Sequence, residues 1–248
     1  MSEPNYPWLK HYEKGVPHSI PYPSIPLHRT LEDTATRFPD NPAMVFFERK
    51  ISYRELNALA DRFAAALQGL GVSKGDRVAL MLPNCPQFVI AFYGTLKAGG
   101  VVVPTNPLYV EREVEQQLRD SGAKAVVTLT KFYPTVAMVR TRTNVQHLIV
   151  TNIKEYFPPV TRLLFTLVLE GKEGHRVLIQ KTPGTHLFGD LMGAASSECK
   201  RVEVGPQDVA LFQYTGGTTG VPKGAVLTHQ NLLANTIPTR RWFAQFGD

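Results

Sequence analysis

Cysteine is scarce in this sequence, and that scarcity excludes several classes of protein. Only two of the 248 residues are cysteines, Cys85 and Cys199, and they lie far apart. A small disulfide-stabilised domain or a cysteine-rich zinc site requires more cysteines at closer spacing. We therefore expect two free thiols in a reducing compartment.

Long apolar runs and a secretion signal are also missing. No stretch approaches the roughly 20 apolar residues of a transmembrane helix, and the opening Met-Ser-Glu-Pro has no basic patch followed by an apolar run. Hydrophobic residues make up 43% of the chain and charged residues 19%, which is typical of a globular protein with a substantial core. The sequence predicts a cytoplasmic protein of one large domain or two small ones.

Motifs of several enzyme and binding classes are absent as well. There is no Gly-x-Ser-x-Gly elbow, and Ser196 and Ser197 lie in a small-residue stretch without a nearby histidine. Helix-turn-helix, zinc-finger and ribonucleoprotein signatures are missing, so we expect no nucleic-acid partner. Four histidines lack the spacing of metal ligands and are predicted to be surface or structural residues: His147, His175, His186 and His229.

Positive charge is concentrated in one part of the chain. The net charge is +6, and residues 131–181 contain eight Lys/Arg against three Asp/Glu. Within this region five apolar residues recur at helical spacing: Val160, Leu163, Leu164, Leu167 and Val168. Two interpretations remain open. Residues 154–181 can form a helix that lies on an anionic membrane surface, peripheral to the bilayer, or the helix can pack on the protein's own core, which is the commoner arrangement.

The order of segments predicts an α/β fold. Strand-like runs occupy residues 77–82, 101–103, 125–129, 147–151 and 209–214, and helical patterns occupy residues 56–67, 86–99, 111–120 and a weaker stretch around Pro134. Strands that alternate with helices of about ten residues indicate a mostly parallel β-sheet flanked by helices. A short hairpin over residues 43–53 and an extended N-terminal arm over residues 1–27, with six prolines, precede the sheet.

Helix boundaries can also be predicted from local signals. Ser52 and Glu55 have the spacing of a capping box, and Gly71 is placed to end the helix that follows. Gly122 is expected to end the polar helix, and Thr228 to cap a last helix that runs through Leu232 and Leu233.

Residues 214–224 are the most informative segment for function, and they read Tyr-Thr-Gly-Gly-Thr-Thr-Gly-Val-Pro-Lys-Gly. The glycines let backbone N–H groups converge on an anion, the threonine hydroxyls add donors, and Lys223 can neutralise part of a polyphosphate charge. A solvent-facing turn is the alternative, but a turn requires only one or two such residues. The P-loop of kinases and GTPases ends Gly-Lys-Ser/Thr, whereas Lys223 stands between Pro222 and Gly224.

This segment resembles the phosphate loop of the adenylate-forming superfamily, which includes acyl-CoA synthetases, luciferases and peptide-synthetase adenylation domains. The match continues through Leu227, Thr228 and His229. Gly216 stands where many members carry Ser or Thr, and Gly-Gly at this point is similar to the bacterial long-chain fatty-acid branch. The resemblance extends over residues 7–233, with matching segments at 7–12, 15–17, 20–23, 39–43, 51–56, 75–78, 82–84 and 96–107 and a less distinctive stretch at 131–205.

The resemblance implies an ATP-dependent ligase that activates a long-chain fatty acid through an acyl-adenylate and then forms a thioester with CoA. It implies ATP, Mg²⁺ and CoA as cofactors and co-substrates, Lys223 as the catalytic cation, and Thr215 as a contact of Mg²⁺. The implied ATP-binding residues are Tyr214, Thr215, Gly216, Gly217, Thr218, Thr219, Gly220, Lys223 and Gly224.

The resemblance also implies a domain division. Residues 28–248 correspond to an incomplete N-terminal AMP-binding domain, because relatives continue with an adenine- and metal-binding segment, a ribose-binding aspartate, a hinge and a C-terminal lysine. These residues alone are therefore expected to be inactive, and a homodimer is allowed. Two alternatives stay open: another acid–CoA ligase of the superfamily, for an aryl or short-chain acid, or a nucleotide- or membrane-binding remnant without activity.

Overall fold

The computed structural model describes residues 6–13, 16–215 and 222–242. Nine strands are found in this part of the chain: β1 (Pro42–Phe46), β2 (Arg49–Ser52), β3 (Arg77–Met81), β4 (Val101–Pro104), β5 (Ala125–Leu129), β6 (His147–Thr151), β7 (Thr185–Leu187), β8 (Val209–Thr215) and β9 (Lys223–Thr228). The α-helices are α1 (His28–Arg37), α2 (Tyr53–Gly69), α3 (Pro86–Lys97), α4 (Glu111–Ser121), α5 (Tyr133–Arg140), α6 (Pro159–Leu164), α7 (Phe188–Ala194) and α8 (His229–Trp242).

A seven-stranded sheet organises the molecule, with strand order β7-β6-β5-β3-β4-β8-β9. Neighbouring strands from β7 to β8 pair in parallel, and β9 pairs antiparallel with β8. The predicted α/β fold with a mostly parallel sheet is therefore confirmed. The separate hairpin of β1 and β2, also predicted, lies outside this sheet.

Both faces of the central strands are covered, which explains their near-continuous apolar sequences. Side chains of β5 alternate between two cores: Val127 contributes to the core on the α2 and α3 side, and Val126 to the core on the α4 and α5 side. Phe63 and Ile90 fill the first core, and Val136 contributes to the second.

Local signals set the helix ends as predicted. Ser52 Oγ accepts a hydrogen bond from the Glu55 N–H at 3.2 Å and begins α2, while the Glu55 carboxylate pairs with Arg49 rather than returning to the cap. Gly71 and Gly122 follow their helices with φ of +77° and +60°, the left-handed region that glycine adopts at little cost.

Two strands and two helices were not predicted: β7, β9, α1 and α7. β7 and α7 come from an irregular sequence between residues 180 and 195, and β9 begins at Lys223, inside the segment interpreted as a loop. Within residues 6–13 and 16–27, regular structure is limited to a short 3₁₀ turn at Leu9–His11. Within this arm the Tyr12 ring lies 5.2 Å from the Trp242 ring of α8. The domain division at residue 27 stays a prediction.

The segment between β6 and β7 contradicts the core-packing interpretation. α6 continues into one widened π-helical turn, Phe165–Leu169. Phe165 alone turns inward; the predicted apolar stripe, Val160 to Val168, is 54–71% exposed. The interpretation fails because the inward face of this helix is held by Phe165, which packs on Phe157, and by the hydrogen bond from Lys154 to Thr166, and not by its aliphatic stripe. None of the described helices has the length and apolar character needed to cross a bilayer.

Candidate phosphate-binding site

The candidate site lies at the ends of β8 and β9. Thr215 is the last residue of β8 and pairs directly with Lys223, the first residue of β9, and Tyr214 pairs with Gly224 in the same register. Thr215 and Lys223 both have exposed side chains. Because β8 runs parallel to β4, Thr215 lies at the carboxyl ends of the parallel strands. Ligands bind at this end of such sheets.

Four of the nine predicted ATP-binding residues are therefore brought together: Tyr214, Thr215, Lys223 and Gly224. The other five lie outside the described residues: Gly216, Gly217, Thr218, Thr219 and Gly220. The strand pairing places Thr215, with its hydroxyl, directly opposite Lys223, with its ammonium group. This pair of groups suits the hydrogen bonding and charge neutralisation of a phosphate anion.

The Tyr214 side chain connects the end of β8 to α4. This side chain is buried, and its hydroxyl donates to Asp120 of α4 at 2.5 Å. Burial, and then the neighbouring carboxylate of Asp120, raise the pKa of Tyr214 well above its ordinary value, so the phenol keeps its proton and donates. No sequence signal marks Asp120 for this contact, because 94 residues separate the two partners.

Gly224 packs closely against the ring of Tyr214. A Cβ atom built at Gly224 would lie 3.1 Å from Cζ and 3.2 Å from Cε2 of Tyr214. Contacts this short force a neighbour to move. Glycine at this position therefore lets the two strands meet while the Tyr214 ring covers the backbone next to Lys223.

The other end of β9 is fixed by the Leu-Thr-His sequence. The Asn231 N–H donates to Thr228 Oγ1 at 3.2 Å, which confirms the predicted cap of α8. His229 is buried, and its Nδ1 accepts the backbone N–H of Leu27 at 3.1 Å. Burial lowers the pKa of His229 to about 4, so its ring is a neutral acceptor near pH 7. The prediction that His229 is structural is confirmed.

The segment at residues 96–107 builds the support rather than the phosphate site. Lys97 is 3% exposed, and its ammonium lies 2.6 Å from Asp61 and 3.4 Å from Glu32, while also donating to Asn57 at 2.8 Å. One buried cation thus joins α1, α2 and α3. The turn that follows requires Gly99, whose φ is +77° and whose added Cβ would approach Val202 to 2.8 Å.

The remaining histidines and the thiols play local roles. His147 and His186 lie 3.3 Å apart across β6 and β7, and His175 contacts Thr130 at 3.0 Å. Cys85 and Cys199 are both free. Among the described residues, no group of three or more His, Cys, Asp and Glu side chains is arranged to hold a metal.

Comparison with known proteins identifies the family. Residues 31–247 match the family model for the AMP-binding enzyme. The chain belongs to this family. Its phosphate-loop segment, Tyr214 to Gly224, lies within the matched residues, so the resemblance of the loop and the family assignment agree.

Similar members of the family include several acid–CoA ligases. The long-chain-fatty-acid–CoA ligase of Bacillus subtilis is 43% identical over 238 residues, which are 95% of this chain and 42% of that protein. The 4-coumarate–CoA ligase of Pinus taeda is 29% identical over 213 residues, covering 85% of this chain and 34% of that protein. The crystal structure of a long-chain-fatty-acid–CoA ligase from Archaeoglobus fulgidus matches with a TM-score of 0.71 and 28% identity, covering 92% of this chain and 41% of that structure. The chain spans less than half the length of these relatives.

Proposed function

We propose that the full-length protein carrying this chain is an AMP-forming acid–CoA ligase for long-chain fatty acids. The observation that carries the proposal is the direct pairing of Thr215 with Lys223 at the carboxyl edge of the sheet, within a chain of the AMP-binding enzyme family. The greater identity to a fatty-acid ligase than to an aryl-acid ligase supports the choice of substrate class. ATP and CoA are the co-substrates in this proposal.

The chemistry assigned to this chain is charge stabilisation at the pyrophosphate end of ATP. When a carboxylate attacks the α-phosphate, negative charge accumulates on the leaving pyrophosphate, and a cation fixed beside it lowers the barrier. Lys223 supplies that cation. Tyr214 and Gly224 hold the strand ends in register, so that Lys223 and Thr215 do not have to be ordered when ATP arrives.

The side chains present are suited to Mg²⁺ only together with ATP. Thr215 offers one exposed hydroxyl oxygen, and oxygen is the ligand type that Mg²⁺ prefers, completed by water and substrate phosphates. When bound, the ion would neutralise phosphate charge. A cytoplasmic location and a homodimer belong to the same proposal.

Two other functions are retained as alternatives. An aryl or short-chain acid would require a different acyl pocket, and the described residues do not identify that pocket. A non-enzymatic remnant would keep the phosphate loop without turnover. Release of AMP by the full-length protein with palmitate, octanoate or 4-coumarate separates these alternatives: palmitate preference supports the proposal, preference for another acid redirects it, and no release with any acid supports the remnant.

Lys223→Ala tests the role of the site. A charge-assisted contact contributes about 1.5 to 3 kcal/mol, so fatty-acid-dependent pyrophosphate exchange by the full-length protein should fall about tenfold or more. Lys50→Ala removes an exposed lysine from β2, outside the site, and should leave exchange unchanged. Equal exchange by both variants would show that Lys223 has no role.

Residues 1–248 alone should release no AMP, because they match less than half of the length of the relatives.

A further inference from the structure

Six exposed apolar residues lie together on α6 and its π-helical turn, and the proposed function does not use them. We name this set the apolar ridge and define it by its exposed members: Val160, Leu163, Leu164, Leu167, Val168 and Leu169. Single exposed apolar residues are ordinary on protein surfaces, but a contiguous set marks an interaction site. π-helical turns are also found frequently at functional positions.

Polar contacts on the inner side fix the ridge in its outward orientation. Lys154 lies 2.6 Å from Glu170 and also donates to Thr166 at 3.2 Å. Asn152 donates to Glu170 at 2.9 Å, and the Arg176 guanidinium donates to the Thr166 carbonyl at 2.9 Å. Turning the ridge inward would break these contacts and bury their charges. The outward face is therefore a stable feature of this segment.

A second chain segment extends the apolar surface. Phe47 and Glu48 form the tip of the β1–β2 hairpin with φ of 46° and 69°, a conformation that bulky residues rarely adopt. The Phe47 ring is 56% exposed and lies 4.5 Å from the ring of Phe157, just before α6. A groove of about 880 Å³ runs between the hairpin tip and Leu163. Positive φ at both positions is the geometry of a two-residue hairpin turn, and this turn leaves the Phe47 ring at the surface beside the ridge.

The charged residues around the ridge are mostly basic. Between residues 157 and 181 the exposed charged side chains are Arg162, Lys172, Glu173, Arg176 and Lys181, four positive and one negative. Glu170, the other acidic residue in this range, is buried and paired with Lys154. Leu178, which is also exposed, lies among these basic residues in the sequence. Glu48 at the hairpin tip and Glu155 in the groove add negative charge, and Arg49 adds positive charge, so the surface combines aliphatic side chains with a net positive surround.

We propose that the apolar ridge and the Phe47 hairpin tip dock on an anionic phospholipid bilayer. Aliphatic side chains on one helix face with Lys and Arg around them are the features that place a helix in a membrane interface, where apolar groups enter the acyl region and cations contact headgroups. Charge complementarity favours an anionic lipid over a neutral surface. The proposal does not depend on ligase activity.

Vesicle binding by the 248-residue chain tests the proposal. Binding to phosphatidylglycerol vesicles should exceed binding to phosphatidylcholine vesicles and should weaken as salt rises above about 0.1 M, where surface charges are screened within about 10 Å. Leu164→Glu combined with Leu167→Glu should weaken binding about tenfold or more, since it places charge in the apolar layer. Leu108→Glu changes a leucine outside the ridge that is 84% exposed, more than Leu164 and Leu167, and should bind as the unmodified chain does.

Two further sets of variants test the proposal without changing the apolar ridge: one removes basic residues, and the other changes Phe47 at the hairpin tip. Arg162→Gln with Lys172→Gln should weaken binding to anionic vesicles about tenfold, because each basic residue near such a surface contributes about 1 kcal/mol; Arg112→Gln, on α4, is the matched control. Phe47→Ser should weaken binding while keeping the salt dependence. Circular dichroism melting should show that every variant remains folded.

Three results would overturn the proposal. The first is equal binding to neutral and anionic vesicles, or to neither, by the folded chain. The second is equal loss with the ridge variant and with Leu108→Glu. The third is a dimer of the unmodified chain that the ridge variant converts to monomer without any change in vesicle binding, which would assign the surface to contact between two copies of the chain.

Discussion

The two edges of the large sheet are built on opposite plans. At the β8–β9 edge, polar contacts between residues far apart in sequence hold the phosphate-site strands, as in the Tyr214–Asp120 bond and the Leu27–His229 bond. At the β6–β7 edge, α6 and its π-helical turn are held by partners close in sequence, such as Lys154 with Thr166 and Glu170, and the aliphatic residues of this helix face outward. The β8–β9 edge holds Thr215 and Lys223 in place, and the β6–β7 edge exposes an apolar surface.

The largest expected difference is between a buried lysine, Lys97, and a half-buried one, Lys154. Lys97→Met leaves Asp61 and Glu32 without their shared cation at the junction of three helices, and removal of one partner from a buried ion pair costs about 3 kcal/mol or more. Lys154→Met should cost less, about 1 to 2 kcal/mol, because Lys154 is 20% exposed and Asn152 still donates to the Glu170 carboxylate. Urea unfolding of both variants measures the two losses. Equal losses of unfolding free energy would contradict the difference that we expect between long-range and local polar contacts.

The next effect is acid sensitivity at the β8–β9 edge. Burial lowers the pKa of His229 to about 4, whereas an unfolded histidine titrates near 6.5. The unfolded state therefore takes up protons first, and stability that is present above pH 6.5 is lost as the pH falls towards 4. At pH 5 this histidine should account for about 2 kcal/mol of lost stability.

A substitution separates His229 from other titrating groups. His229→Gln should be less stable at pH 7, because the Leu27 N–H loses its nitrogen acceptor, but should lose less further stability between pH 7 and 5. His28, whose pKa is also lowered to about 4 by burial, should keep part of the pH dependence. His18→Gln, which changes an exposed histidine, is the control variant. If His229→Gln and the unmodified chain show the same slope, His229 does not titrate as inferred.

The smallest effect contrasts two glycines. Gly224→Ala forces a methyl group against the Tyr214 ring and should cost about 1 kcal/mol or somewhat more. Gly171→Ala, at the β6–β7 edge, meets no atom within 4 Å and should change stability by less than about 0.5 kcal/mol. Thermal melting of both variants is sufficient. A neutral Gly224→Ala would mean that the Tyr214 ring moves aside easily.

Much of the fold could be predicted because its signals are local. The Ser52 cap, the Gly122 stop and the apolar runs of β3 and β5 depend on neighbours within one helical turn or one strand. β9 could not be predicted because its first two residues, Lys223 and Gly224, belong to the phosphate-loop motif, which indicates a loop. Its strand conformation depends on pairing with β8. Lys223 was found, but its position opposite Thr215 required the strand pairing.

The errors follow from contacts that no local pattern contains. Periodicity correctly predicted that Val160 and Leu163 share one face of a helix, but it could not show which face would turn inward. That choice depends on Lys154 and Glu170, which anchor the other side. Asp120 likewise gave no signal, since an acidic residue at the end of a polar helix is ordinary until Tyr214 is placed beside it.

The bond between Leu27 and His229 has a consequence for the order of events during synthesis. The two residues are 202 positions apart, so α1 leaves the ribosome long before its acceptor exists. Helices and strands in between can form as they emerge, but closure of the chain at this junction must wait for α8. Contacts of such long sequence separation slow folding. Docking of the N-terminal helix against α8 is therefore a late step, and a pause in translation before residue 229 would leave that junction open.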